Sequence, residues 1–292
     1  MKTFLAVLVF LALFATPSIS SAIDPGSATG TLTVDGDTVP LKYAYAHLHD
    51  NAEGWLDTKK EMRILVSDRD VPQEAISGLN LFTTLSEMVM EGSVRGVLLR
   101  FDPGKPKSVV VTVLYPPKDQ GFSLANRTIS DSEKGPLENL LISKLRVSAS
   151  VNHNSPGNSE LGWPSESYSF KFSAPLFNEP PVTEILKGKK AMKSPQAKVI
   201  LAKAAAMKRG DLETAKKYTS ERSIIEMDRI ISQSKGEVDS MIRESGKETE
   251  QSVRKGKLRL IVRGDRASLV VDTNEGKSLY GLIRKDGSWL VD

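Results

Sequence analysis

The sequence predicts an α+β protein in two parts. The first is a mainly antiparallel β domain, sandwich or barrel, and the second is a smaller domain of three helices and an antiparallel sheet. Three observations carry this expectation. Short β-rich segments separated by turn residues run from Thr29 to Phe172; helical spacing dominates from Ser194 to Ile242; and alternating strands return from Lys257 to the end.

Ahead of both parts lies a leader. Met1-Lys2 is a short basic start, Phe4–Phe14 is a continuous apolar run, Pro17 breaks it, and Ser20-Ser21-Ala22 offers the small residues a signal peptidase reads. The run is short of the ~20 residues a spanning helix needs. These features predict a cleaved signal over residues 1–22, cleavage near Ala22, and a periplasmic or secreted mature protein. No later stretch reads as a transmembrane segment. The chain has no cysteine, which excludes disulfides, thiolate metal sites and a lipid-anchored cysteine. The cysteine-free, lysine-rich composition suits an exported protein of a Gram-negative bacterium.

In the first part, Thr29–Val34 alternates, Asp35-Gly36-Asp37 signals a hairpin, and Val39–His49 is the returning strand. Alternation puts Tyr43, Tyr45, His47 and His49 on one face of that strand and Ala44, Ala46 and Leu48 on the other. Glu61–Val66 is a third strand. Leu81, Leu85 and Met88 are spaced as a helix within Leu79–Glu91. Gly96–Phe101, Ser108–Tyr115, Ile142–Val151 and Ser167–Phe172 complete the strands. The segments GTLTVDG, VPLKYAYA, ILVSDRDVP and YSFKFSAPL look like uncharacterised domains of exported bacterial proteins, a likeness that implies no activity. The expected domain spans residues 27–174. Pro175, Pro180 and Pro181, followed by the lysine-rich Leu186–Ser194, predict a linker over residues 175–193.

In the second part, Ser194 caps a helix that Pro195 opens and Arg209-Gly210 closes. Asp211 caps a short helix, with Leu212, Ala215 and Tyr218 on one side. A longer helix starts at Ser220, with Ile224, Met227, Ile231, Val238 and Ile242 inward. Lys257–Arg263, Ala267–Asp272, Ser278–Arg284 and a short strand at Trp289 then form a meander, the last hairpin turning at Asp286-Gly287. The residues AKAAAMKRGDLETAKKYTSE, LRLIVRGDRASLVV and YGLIRKDGSWLVD resemble the nuclear transport factor two-like group, closest to its short, lumazine-binding-related bacterial members of unknown function. The resemblance covers residues 194–292. It implies a curved sheet wrapped around helices and enclosing a pocket, on a scaffold that serves enzymes, binders and assembly modules alike.

Charge is uneven along the chain. Residues 23–185 carry 15 Lys+Arg against 21 Asp+Glu, a net −6, and residues 186–292 carry 24 against 15, a net +9. Opposite signs serve mutual docking or separate partners.

The candidate chemistry is sparse. His47 and His49 share a strand face, with Asp50 next to them and His153 further on, a donor set suited to zinc or copper. Its bland alternative is a polar strand end. Tyr218, Tyr280, Trp289 and Asp272 are the candidate lining of a ligand pocket, although aromatic residues in a meander commonly belong to the core. Leu186–Arg209 holds eight Lys+Arg and no acid, so Lys187, Lys189, Lys190 and Lys193 are candidate contacts to an anionic envelope polymer. No aromatic residue interleaves them, which argues against specific nucleic-acid binding. Arg209-Gly210-Asp211 reads better as a helix end and a cap than as an adhesion motif. Asn126-Arg127-Thr128 is a glycosylation sequon, with meaning only in a eukaryotic secretory pathway. No nucleophile elbow, zincin motif or phosphate loop occurs, no cofactor is implied, and the second part contains no histidine. The expectation is therefore an exported, non-catalytic protein that binds a small ligand or a partner protein. The alternatives are a hydrolase or isomerase using the C-terminal cavity, and an envelope-associated protein held by its basic segment.

Overall fold

The computed structural model describes residues 26–54, 58–72, 75–77, 81–116, 126–129, 137–157, 164–233 and 238–292. The signal expected over residues 1–22, with its cleavage site near Ala22, lies outside them. The chain forms two compact units: the first takes residues through His49 and Glu61–Phe177, the second Asp50–Lys60 and Asn178–Asp292. Helices and antiparallel sheets are both present, so the class is α+β. No helix among the described residues is long and apolar enough to cross a membrane.

The first unit is built on β1 (Gly26–Val34), β2 (Asp37–Asp50), β3 (Lys60–Ser67), α1 (Leu81–Met90), β4 (Gly96–Phe101), β5 (Val109–Leu114), β6 (Asn126–Ile129), β7 (Leu137–Ile142), β8 (Arg146–Ser155) and β9 (Glu166–Asn178). The strands form one curled antiparallel sheet in the order β6-β5-β4-β3-β2-β1-β9-β8-β7. Asp35 and Gly36, both at positive φ, make the tight turn between β1 and β2. One face gathers Leu32, Leu41, Ile64, Leu99, Val111, Val151 and Phe170 into the main core. The other packs Tyr45, Leu65, Leu98 and Leu114 under Leu81, Leu85 and Val89 of α1. Coverage on both faces explains why β3 is buried at every position from Glu61 to Ser67 rather than at alternate ones. β7 was not foreseen: it is an edge strand whose Leu141 and Ile142 are exposed, so burial imposes no pattern on it.

The second unit holds β10 (Glu184–Lys187), α2 (Lys189–Lys193), α3 (Pro195–Arg209), α4 (Leu212–Lys216), α5 (Glu221–Gln233), α6 (Val238–Lys255), β11 (Lys257–Arg263), β12 (Arg266–Thr273), β13 (Gly276–Lys285) and β14 (Ser288–Val291). Its five strands lie in sequence order and antiparallel. Their α3-facing side packs Leu258, Leu260, Leu269, Val271, Leu282 and Val291 against Ala197, Ile200 and Val253.

Three expectations differ from what is found. Ile142–Val151, read as one strand, holds instead the last residue of β7, a turn and the first part of β8. Residues 175–193, read as a linker, hold the end of β9, then β10 and α2. β10 adds to the open edge of β11, with Ile185 opposite Ile261, and Ala191, fully buried between lysines, anchors α2. The single helix expected from Ser220 is two, α5 and α6. The caps are as read: Ser194 Oγ accepts from Ala197 N–H at 3.2 Å, Gly210 ends α3 at φ 77, and Asp211 caps α4 by accepting from Thr214 N–H at 3.0 Å. Gly210 and Asp211 are thereby employed as helix punctuation.

Candidate functional site

In the first unit, His47 and His49 lie on the same side of β2 as Tyr45, the side that α1 covers. They are 0% and 1% exposed, so the polar strand end expected there is an interior position. The His47 ring stacks on Phe177 of β9 at 5.4 Å. His153 is placed elsewhere: it pairs with Tyr168, stacks on it at 4.8 Å, and holds Nε2 3.6 Å from the Glu166 carboxylate. Tyr168 and Phe177 are nine positions apart on β9, roughly 30 Å of extended chain, so His153 does not join the pair. Two imidazoles on one face supply half of a tetrahedral zinc set.

The four candidate lysines are all exposed, Lys187 on β10 and Lys189, Lys190 and Lys193 on α2. None forms an ion pair with a described residue. They make a solvated basic edge on the second unit.

The candidate pocket residues separate. Tyr280 and Trp289 are half-buried against the α3-facing core, with the Arg284 guanidinium 5.6 Å from the Trp289 ring. Asp272 follows Val271 of that core, so alternation turns it to the opposite side of the sheet, where it is exposed. Tyr218 is tied to the last strand through its backbone: its carbonyl accepts from Val291 N–H, and Val291 carbonyl accepts from Ser220 N–H, both at 2.8 Å. Asp292 N–H donates to Gly281 carbonyl at 3.0 Å, and Asp292 Oδ1 accepts from Ser220 Oγ at 2.7 Å. Asp292 is therefore fixed, and its charge acts on Lys203, one of the eight cations of the basic stretch.

Lys203 sits in the middle of α3, one turn beyond the buried Ile200. Burial lowers its pKa from the ordinary lysine value, and the Asp292 charge offsets this only in part. Among the described residues it has neither a hydrogen bond nor an ion pair. A half-buried, reachable ammonium with neither bond among the described residues is suited to holding an anionic group. Ser220, whose hydroxyl meets Asp292, is spent on structure: it is 2% exposed, donates to Asp292, and accepts from Ser223 N–H at the start of α5.

A second cluster in this unit surrounds Arg263 of β11. Both its Nη atoms bond the Asp50 carboxylate, one of them at 2.8 Å, and Nη1 also donates to Pro180 carbonyl at 3.0 Å. Glu53 and Glu179 carboxylates lie 3.7 Å away. Burial pulls the Arg263 pKa down, but the Asp50 bonds and the charges of Glu179 and Glu53 outweigh it and hold the guanidinium charged. Arg259 bonds Glu53 carbonyl, and Lys277 Nζ donates to Gly54 carbonyl at 2.6 Å. Asp50–Gly54 is thus sewn to the side of this sheet that faces away from α3. Comparison with protein-family models, with curated proteins and with solved structures finds no match to this chain.

Proposed function

We propose that the chain is an exported, non-catalytic binding protein: an antiparallel β sandwich or barrel joined to a nuclear transport factor two-like unit that holds a small ligand bearing an anionic group. The observation that carries this reading is Lys203, a half-buried ammonium with neither hydrogen bond nor ion pair among the described residues, near Asp292, where three backbone bonds tie down Val291 and Asp292. A buried charge that Asp292 offsets only in part costs stability, so its retention fits a ligand that supplies further counter-charge. Export rests on the leader's sequence. Catalysis is disfavoured by a second unit without histidine, whose best-placed serine is spent on structure.

The test is mass spectrometry of small acids that co-purify with the full chain, compared with Lys203→Met. The wild type is expected to retain an acid that the variant loses, with at least a tenfold fall in affinity on titration. An unchanged ligand complement in the variant would overturn the reading. Affinity falls as pH rises through the lowered Lys203 pKa, because the neutral amine no longer attracts an anion.

The same shift gives a stability prediction. Below the folded-state pKa, the folded protein carries a penalty for a buried ammonium. Between that pKa and the ordinary value of 10.5 the unfolded chain binds more protons, so stability rises with pH in this window. Lys203→Met is therefore more stable than wild type at neutral pH, by an amount that shrinks as pH approaches 10.5; urea midpoints across that range check it.

A second reading, envelope association, is favoured by the exposed edge of Lys187, Lys189, Lys190 and Lys193. It predicts salt-sensitive retention on anionic vesicles that is lost when all four become Gln and is unaffected by Lys203→Met.

A further inference from the structure

The sheet of the first unit ends on an edge that is apolar and exposed. Among the described residues β7 has β8 as its one neighbour. An edge strand presents a row of N–H and C=O groups that can pair with another chain. Leu141 and Ile142, at the end of β7, are 69% and 41% exposed, and Leu145, in the turn to β8, is 77% exposed. Single apolar side chains on a surface are ordinary, whereas a contiguous group of them marks a contact.

The group is held in place. Ser143 N–H donates to Arg146 carbonyl at 2.9 Å, and Ser143 Oγ accepts from Arg146 N–H at 2.9 Å. Leu145 carbonyl accepts from Leu176 N–H of β9 at 2.8 Å, and Arg146 Nε donates to Ser173 Oγ at 3.1 Å. Ile142 lies opposite Val147 and shares the side of the main core, while Leu141, opposite Ser148, points to the other side. A bulge between Glu138 and Leu141, with Asn139 at φ 54, keeps the usable edge short. A surface fixed beforehand loses little freedom on binding.

The same segment says what covers it. Residues 137–145 read Leu-Glu-Asn-Leu-Leu-Ile-Ser-Lys-Leu, which is self-complementary about Leu141: Leu137 matches Leu145, Glu138 matches Lys144, Asn139 matches Ser143 and Leu140 matches Ile142. Glu138 and Lys144 are both exposed, and among the described residues neither is in an ion pair. Two copies set antiparallel across a two-fold axis at Leu141 bring apolar to apolar and acid to base. A slip by one residue sets Glu138 against Ser143 or Leu145 and loses the match.

We propose that β7 is a dimerisation edge whose occupant is β7 of a second copy of this chain, paired antiparallel about Leu141, with Glu138 of each copy meeting Lys144 of the other. Leu141 packs on Leu141 of the second copy, and Leu140 on its Ile142. These residues all lie in the first unit, so the proposal does not depend on the Lys203 reading. The edge is short, so association is weak, with a Kd of about 10–100 µM.

Sedimentation equilibrium of the full chain at concentrations spanning that range tests it. Wild type is expected to pass from monomer to dimer and no further, because a two-fold contact closes on itself. Leu141→Glu sets two like charges on the axis and leaves a monomer throughout. Lys144→Glu and Glu138→Lys, made singly, each weaken the dimer about tenfold. Combined in one chain they restore the wild-type affinity, which only this register predicts. All three positions are exposed, so an unchanged circular dichroism spectrum and Tm are expected. Monomeric wild type at every concentration, open-ended assembly, a dimer that Leu141→Glu leaves intact, or a double variant no better than the singles would each overturn the proposal. So would a wild type that stays monomeric and sediments with phosphatidylcholine vesicles, which would assign the leucines to a lipid surface.

Discussion

Arg263→Met is expected to cost the second unit about 3–5 kcal/mol, the range for breaking a buried ion pair from one side. The loss comes less from the bond to Asp50, which is more than a third exposed, than from Glu53 and Glu179, whose side chains are 3% and 9% exposed and lose their shared counter-charge. Urea unfolding followed by circular dichroism reads this as a large drop in midpoint. Arg263→Lys keeps the charge but cannot fork onto Asp50, and should lose roughly half as much. Adding Glu53→Gln and Glu179→Gln to Arg263→Met should restore much of the stability, because the stranded charges are then gone. A midpoint unmoved by Arg263→Met would show that the cluster does not hold the unit together.

Gly246→Ala is expected to be the second severe change, although alanine normally strengthens a helix by about 1 kcal/mol over glycine. Gly246 lies inside α6 where that helix packs on α3. A Cβ there would fall 2.5 Å from Lys208 N, 2.7 Å from Ala204 carbonyl oxygen and 2.9 Å from Met207 Cβ. The first two are backbone atoms of α3, which cannot turn aside as a side chain can, so the helices must separate. Overpacking of this kind costs about 1–3 kcal/mol. The net expectation is a fall of about 2 kcal/mol, or about 8 °C in Tm. An unchanged or raised Tm would mean that the two helices move apart without loss.

That glycine also shows where sequence reading stopped. It lies where α6 meets the backbone of α3, a relation between segments that no local pattern encodes. Hairpins and caps were legible because their chemistry is local: Asp286 and Gly287, at φ 51 and 77, make the last turn whatever surrounds them. Alternation along β2 separated Ala44 and Ala46 from Tyr45 and the two imidazoles. It did not reveal that both sides are covered, since the cover over the second is α1, thirty residues further on. Lys203 was hidden by composition, one cation among eight, and only the fixing of Asp292 beside it sets it apart. Asp272 was grouped with Tyr280 and Trp289 as lining of an expected pocket, whereas strand parity divides them. Arg263 ends an apolar strand, and nothing nearby in sequence announces the carboxylates that meet it.

The second unit is written in two separated pieces of the chain, with Asp50–Lys60 emerging during synthesis long before Asn178. Until β11 is made, the carboxylates of Asp50 and Glu53 have no Arg263 to receive them, so this unit cannot finish folding as the polypeptide elongates. High contact order of that kind slows folding. It also forbids a clean cut: a fragment stopping at Ile185 would retain a piece of its neighbour with nothing to sit against, and a fragment starting at Ser194 would lack it.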